Sequence, residues 1–409
     1  MHQAFRRLSG AATVLSALLC LAAPATPAAA SAAPGFTVFD NTSYTSASLG
    51  NGAVVTNLVP NSVCSPLVQS GALPTQAQWQ QIVQTYDTHP GGPLVLDCES
   101  LYLTGTATTA AKHYSQLAQL QSWARQVEPD QLIGWYGLLG NTDSAYNSSY
   151  QQLIAQDPHT AFFPSAYTFS TSEETWDSTL STNVTHAAAI DANIPVYPYI
   201  WPQYHQGSSP SSLSLTFVPA AQWSFELATL HEVGIAGAVV WGGLSTSGTC
   251  DATCESQAGS GGWFSATKSF LQSLANPQTD LAQGRLATAS STNVSGREPD
   301  QAVDGDPLTR WGSTYADPQW IDVDLGAEYD ITGVRLMWET AYGTAYQIQV
   351  SDDDTTWTTI YSTTSGAGGV EEHDGLSGTG RYIRMYGTAR GTQYGYSLWD
   401  LAVHGTPAA

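Results

Sequence analysis

The chain has 409 residues, and its 34 acidic side chains against 12 basic ones give a formal net charge of −22. That length accommodates two or three domains. A field of that sign repels nucleic acid and other polyanions, and favours neutral or cationic partners.

Arg6 and Arg7 precede the apolar run Ala11–Ala23, and small residues continue to Ala33. This is the layout of a bacterial export signal over residues 1–33, cleaved near Ala30 or Ala33. No later stretch is long and apolar enough to cross a membrane, so a secreted, extracellular, monomeric chain is expected. Of five cysteines, Cys20 leaves with the signal. Cys250 and Cys254 share one Gly/Ser-rich loop and are expected to pair, leaving Cys64 with Cys98. A zinc site built from the four lacks CxxC spacing and neighbouring histidines.

Residues 36–275 alternate short apolar strands with helical stretches. Strands are expected at Phe36–Asp40, Ala53–Leu58, Leu94–Glu99, Leu132–Leu138, Ala161–Tyr167, Val196–Trp201 and Gly237–Trp241. Helices are expected at Thr75–Tyr86, Thr109–Val127, Ser148–Gln156, Glu173–Ala192, Pro219–Val233 and Ser265–Leu274. Such βαβα alternation predicts a TIM-like α/β barrel, irregular because only seven strands are countable.

The third strand carries the chemistry. Leu94, Val95 and Leu96 form an apolar run that ends in Asp97-Cys98-Glu99. On a continued strand, Asp97 and Glu99 share one face at the carboxyl end, where barrel enzymes hold their sites. Two adjacent carboxylates raise one another's proton affinity, which suits a general acid beside its partner. A brace for the loop is the structural alternative. Other strand ends contribute Tyr136, Tyr167, Tyr199, Trp201 and Trp241, flat surfaces on which sugar rings stack. Asp40 and Asp143 are further acids at strand ends, candidates for a second carboxylate. The nine histidines form no HxH or HExxH pattern, so no catalytic metal or cofactor is expected.

The order strand-DxE, GWYG, FPSAY, a Pro-Tyr strand and VVWGG resembles the hyaluronidase family of glycoside hydrolases. The resemblance implies Glu99 as proton donor, Asp97 as its partner, and Tyr136, Tyr167 and Trp241 lining a sugar cleft. Cys98 departs from the family's usual aromatic between the carboxylates. Residues 36–275 hold only Lys112, Arg125 and Lys268 against 16 acids, which opposes a polyanion such as hyaluronan.

Residues 276–280, NPQTD, form a polar linker. Beyond it, alternation in WIDVDL and YQIQVS, with turns between short runs, predicts an antiparallel β-sandwich over residues 281–409. Six strands are expected: Gln319–Leu325, Ile331–Trp338, Ala345–Ser351, Thr355–Ser362, Arg381–Gly387 and Ser397–Gly405. The motifs AVDGDPLTRWGS, AYQIQVSDDDTTWTTIY, RYIRMYG and YGYSLWDLAVHG closely resemble the discoidin-type (coagulation factor 5/8 type C) carbohydrate-binding modules. The resemblance implies a structural Ca²⁺ at Asp304, Asp306 and Thr309, with Asp400 in the place of the family's usual Glu. It also implies a sugar-binding edge carrying Glu298, Tyr315, Glu339, Tyr342, Arg390 and Tyr394.

The expectation is a secreted glycoside hydrolase acting on a neutral or amino-sugar polysaccharide, with an appended sugar-binding module. Action on hyaluronan, a polysaccharide lyase and a non-catalytic lectin-like protein are the alternatives.

Overall fold

The structure is a computed structural model that describes residues 35–49, 53–69, 71–245, 248–275 and 277–408. The expected export signal, with Arg6, Arg7 and Cys20, lies outside the described residues.

In the first lobe the strands are β1 (Thr37–Thr42), β2 (Ala53–Val55), β3 (Asn57–Val59), β4 (Leu94–Leu96), β5 (Ile133–Tyr136), β6 (Thr160–Phe163), β7 (Tyr199–Ile200) and β8 (Gly237–Gly242). They form two parallel four-stranded sheets, ordered β2-β1-β8-β7 and β3-β4-β5-β6. Thr56 alone separates β2 from β3, so one chain segment edges both sheets. Parallel bridges Phe162↔Val196 and Ser165↔Tyr199 link β6 to the segment entering β7. Pairing therefore passes through all seven strand segments expected from the sequence.

Alternation sorts the side chains of these strands into two apolar groups. Val38, Leu94, Leu96, Ile133, Trp135, Phe162, Ile200 and Val240 pack with the helices. Phe39, Val95, Ala161, Phe163, Tyr199, Trp201 and Val239 pack with one another on the opposite face. Gly134 is required there, because a Cβ would lie 2.2 Å from the Ala161 carbonyl and 2.7 Å from the Phe163 ring.

The helices are α1 (Asn61–Val68), α2 (Gln76–Tyr86), α3 (Ala107–Val127), α4 (Asn147–Ala155), α5 (Glu173–Asp191), α6 (Ala220–Glu232), α7 (Ala252–Ser260) and α8 (Gly262–Ala275). Thr75 and Gln78 make a capping box at α2, and Thr106 and Ser172 cap α3 and α5. The sequence reading missed α1 and α7, of 8 and 9 residues. Such helices span little more than two turns, too few for their periodicity to stand out. A short hairpin, β9 (Leu244–Ser245) with β10 (Gly248–Thr249), lies between β8 and α7. Both expected disulfides form, Cys64–Cys98 and Cys250–Cys254.

The second lobe is an antiparallel sheet assembly of β11 (Leu286–Ala289), β12 (Trp311–Gly312), β13 (Gln319–Trp338), β14 (Gly343–Ser351), β15 (Thr358–Thr363), β16 (Val370–Arg390) and β17 (Ser397–Pro407). The two strands expected over 319–338 are one 20-residue strand with an irregularity between Asp324 and Tyr329. Gly326, at φ 82°, accommodates that irregularity. β16 likewise begins earlier than expected. Its polar, Gly-containing first half is recruited by pairing with β13, which no local pattern signals.

Residues 276–280 are not a free hinge where they are described. The Asp280 carboxylate accepts from the Ala282 and Val403 amides, each at 2.8 Å. Both lobes lie in one compact unit, Ala33–Ala409. Trp399 and Met337 of the second lobe join the apolar core of the first. Trp399 sits 5.6 Å from Phe225, and its indole donates to Glu173 at 3.3 Å. Arg335 pairs with Asp400 at 2.8 Å and with Glu232 of α6.

Candidate functional site

Strand β4 ends at Leu96, so Asp97 and Glu99 are not neighbours along one strand face as expected. Asp97 and Cys98 form a turn, and Glu99 opens a 3₁₀ turn, Glu99–Leu101. Helix α1 holds this segment by several links, among them Ser65, whose hydroxyl bonds Ser100. Cys98 is disulfide-bonded to Cys64. The Asn61 amide donates to Asp97 Oδ2 at 3.2 Å, and the Asn61 side-chain oxygen accepts from the Glu99 amide at 3.1 Å. The Cys64–Cys98 bond was expected from the sequence, whereas Asn61 was not, because α1 itself was not.

The two carboxylates stand in different surroundings. Glu99 is exposed, whereas Asp97 is half-buried with Oδ1 unpartnered. Burial, reinforced by the Glu99 charge, pushes the Asp97 carboxyl up to about 7. Asp97 thus holds a proton near neutral pH beside a solvent-facing acid.

Three inward tyrosines, Tyr136, Tyr167 and Tyr199, feel the charge of Asp97. Tyr136 lies 5.0 Å from Tyr199 and 6.3 Å from Tyr167, ring to ring. Tyr167 lies 5.7 Å from Trp201 and 5.8 Å from Trp241, and the two indoles are 4.7 Å apart. The charges of Asp97 and Glu99 both act on Tyr136, whose hydroxyl burial raises to about 12. Tyr167 and Tyr199 are raised too, again mainly by burial, so these phenols stay neutral hydrogen-bond donors. Ser165 and Tyr167 bond the Tyr136 hydroxyl.

Three residues not expected from the sequence belong here. Tyr102 follows the carboxylate turn; burial and the nearby Glu99 charge raise its phenol. Its hydroxyl would meet a Cβ at Gly137 at 2.5 Å, and Gly137 has φ +68°, so that position needs glycine twice over. Asn41 accepts from the Tyr199 hydroxyl at 3.3 Å. Ser165 is the third. Strand parity, read from the Phe39 and Phe163 faces, signals Asn41 and Ser165.

The same parity turns Asp40 away. It shares the Val38 face, and its carboxylate accepts from the Thr42 amide and hydroxyl at 2.9 and 2.8 Å. Asp143 braces a turn by accepting from Gly105 at 3.2 Å. Neither makes a contact with Asp97 or Glu99. Two cavities, one of about 680 Å³ beside Gln203 and Phe217 and one of about 300 Å³ beside Asn141 and Ser165, are lined by neither the carboxyl pair nor the aromatic residues of the site.

The three cations of this lobe lie on its helices. Arg125 is tied to Asp157 at 2.9 Å, Lys268 covers the Phe264 ring at 4.7 Å, and the Lys112 ammonium packs on Gly71. None of these contacts involves the aromatic ring of the site.

On the second lobe, Tyr315 and Tyr394 are 58% and 47% exposed and meet edge to face at 5.8 Å. Arg390 props them: it donates to Asp317 at 3.2 Å and to the Tyr394 carbonyl at 3.1 Å. Asp317 also accepts from the Tyr396 hydroxyl. The other expected edge residues are engaged elsewhere. Glu298 caps a 3₁₀ turn and accepts from the Gly296 amide at 2.8 Å. Glu339 faces Arg310 at 3.8 Å, and its charge acts on Glu173 across the seam. Tyr342 is wedged between Gly368 and Gly391, where a Cβ would meet its ring at 2.9 and 2.5 Å.

The 304–309 loop gathers oxygens. The Thr309 hydroxyl lies 2.9 Å from Asp304 Oδ2, 3.0 Å from the Asp306 carbonyl and 3.4 Å from the Gln301 carbonyl. An oxygen-only set fits a hard cation such as Ca²⁺. Asp306 spends its side chain on the Leu308 amide at 3.0 Å. Asp400 is not in the set, because Arg335 holds it at the seam. No cluster of three or more His, Cys, Asp or Glu side chains suited to a metal occurs among the described residues.

Comparison with known proteins bears on the second lobe. Residues 287–401 match the family model of the F5/8 type C domain. This lobe therefore contains a domain of the F5/8 type C, or discoidin, type. Among solved structures, the chain is similar to chitosan-binding module 1 of a chitosanase/glucanase from Paenibacillus sp. IK-5. The identity is 48%, the match covers 31% of this chain and 99% of that one, and the TM-score is 0.31. Chitosan-binding module 2 of the same enzyme, in complex with chitotriose, is 46% identical over 31% and 100% of the chains, with TM-score 0.30. A curated relative, the polysaccharide lyase 8 family protein HylA of Enterococcus faecalis, is 39% identical over 70 residues. That match spans 17% of this chain and 5% of the relative.

Proposed function

We propose that the chain is a secreted glycoside hydrolase that cleaves a neutral or amino-sugar polysaccharide, its second lobe holding the same class of glycan. The observation that carries this is the Asp97–Glu99 pair, one carboxyl half-buried and proton-holding, the other exposed, beside a cluster of tyrosines that leads on to two tryptophans. The first lobe is read as an irregular seven-stranded α/β barrel, with the site at the carboxyl ends of its strands.

Glu99, at the exposed edge, donates a proton to the leaving glycosidic oxygen, with the proton-holding Asp97 as its partner. Neutral phenols of Tyr136, Tyr167 and Tyr199 donate to ring substituents. With an N-acetyl sugar the acetamido oxygen attacks the anomeric carbon, Asp97 orients it, and no enzyme nucleophile is required. In the module, the Tyr315–Tyr394 pair is the stacking platform and Arg390 its prop. The Asp304 carboxylate, the Thr309 hydroxyl and the carbonyls of Gln301 and Asp306 would hold a structural Ca²⁺, which cross-links the loop.

A second reading, a polysaccharide lyase, is favoured by the name of the curated relative. Against it stands the placement of Lys112, Arg125 and Lys268, none of which meets the site to neutralise a uronate; hyaluronan is disfavoured alike. The test is a panel of chitosan, partly acetylated chitosan, β-glucans and hyaluronan. Hydrolysis releases reducing ends alone, whereas lysis also forms an unsaturated, ultraviolet-absorbing sugar. Reducing ends from an uncharged or amino glycan, lost in Glu99→Gln, are expected. Unsaturated product, or efficient cleavage of hyaluronan at low salt, would overturn the reading.

A further inference from the structure

Phe169 is 45% exposed, unlike the buried rings deeper in the site. It follows Tyr167 by two residues, and its ring lies 4.5 Å from the His205 imidazole. His205 in turn stacks on Tyr167, at 5.7 Å and 21°, and meets Trp201 edge-on at 6.0 Å. One aromatic surface therefore runs from the solvent-facing Phe169, through His205, to Tyr167 and the two tryptophans.

The loops carrying Phe169 and His205 are zipped together. The His205 amide donates to the Thr168 carbonyl and the Ser209 amide to the Phe169 carbonyl, each at 2.9 Å. The Ser208 hydroxyl donates back to the His205 carbonyl at 2.6 Å. Both rings are thus presented on a preformed wall, with little ordering cost left for a ligand to meet.

His205 has a defined hydrogen-bonding sense. The Gly207 amide donates to its Nδ1 at 3.2 Å, so the neutral ring carries its proton on Nε2. Nε2 makes no hydrogen bond among the described residues. Burial lowers the proton affinity of this imidazole, so the neutral form prevails around pH 7. The wall then offers one flat apolar face and one N–H donor. That combination suits a pyranose, with its CH face on Phe169 and a ring hydroxyl accepting from Nε2.

We propose that Phe169 and His205 form an outer glycan subsite, which binds the sugar ring next to the one held at Asp97 and Glu99. The assignment rests on the glycan-cleaving reading of the lobe, and the experiment separates the two. The full chain carrying Glu99→Gln, with ¹⁵N-labelled histidine, is titrated with hexasaccharides of glucosamine, N-acetylglucosamine, β-1,4-glucose and β-1,3-glucose. The His205 Nε2 resonance, assigned by its loss in His205→Gln, is followed. A saturable shift with one of these sugars is expected. With native Glu99, Phe169→Ala should raise KM for a cleaved hexasaccharide about tenfold while kcat changes less than about threefold. No His205 shift with any sugar, or an unchanged KM, overturns the subsite. Cleavage without a His205 shift refutes the subsite and leaves the hydrolase standing. A shift without any cleavage keeps the subsite and refutes the hydrolase.

Discussion

Among single residues, Asp97 is the site carboxyl that its surroundings alter. Its carboxyl is raised to about 7 by burial and by Glu99, so its ionisation should set the alkaline limb of activity. Glu99→Gln should lower kcat about a hundred- to ten-thousand-fold, with the circular dichroism spectrum unchanged. Asp97→Asn should remove or displace the alkaline limb near pH 7. A pH–rate profile identical to that of the native chain would make Asp97 a brace for the turn. At the module, Tyr394→Ala should weaken retention on an insoluble glycan while leaving cleavage of soluble oligosaccharides intact. Retention equal to that of the native chain would move the platform elsewhere.

The 304–309 loop is the element whose state is open to a direct check. Asp304, Thr309 and two carbonyls already converge, so a hard cation needs little rearrangement there. Calcium should raise the melting temperature of the chain and chelator should lower it. The increment should vanish in Thr309→Val, while the metal-free melting temperature of that variant falls only modestly. Melting curves that superimpose with and without chelator would remove the metal from the loop. The Asp97–Glu99 turn is the second such element. Cys64–Cys98 and Asn61 clamp it to α1, so Asn61→Ala should reduce kcat more than it reduces stability.

For the whole molecule, the seam between the lobes carries a linked set of buried acids. Glu173 and Asp177 of α5 are each raised to about 8, chiefly by burial, and Glu226 of α6 is raised as well. Both Asp177 oxygens and Glu226 Oε2 lack partners. Glu174, Glu339 and Asp306 face them with like charge, Arg310 acts on both α5 acids, and Arg297 meets Glu174 at 3.9 Å. These folded-state values lie above the unfolded ones, near 4, so the native state holds the extra protons. Their stabilisation is complete below about pH 4 and is lost progressively as pH rises to about 8. Asp177→Asn with Glu226→Gln should flatten this decline and stabilise the chain at pH 8 by roughly 1–3 kcal/mol. Melting temperatures from pH 5 to 9 check it, and parallel declines in variant and native chains would refute it. Trp399→Ala, which empties the seam, should cost about 3–5 kcal/mol.

What the sequence determined by itself was local in origin. The apolar run before Asp97-Cys98-Glu99, the aromatic strand ends and the turn-rich motifs of the module are written in consecutive residues. Period-2 and helical patterns make such elements visible without any partner. The cysteine pairs were also legible, because Cys250 and Cys254 share one short loop and so leave Cys64 for Cys98. The tertiary structure decided which of those groups meet. Strand parity set by distant packing put Asn41, not Asp40, against Tyr199. Docking of one lobe on the other took Asp400 and Glu339 into the seam and left Tyr315 and Tyr394 in solvent. Burial separated Asp97 from Glu99, two carboxylates that look equivalent in the chain. Desolvation and charge are sums over neighbours distant in sequence, so no stretch of residues records them.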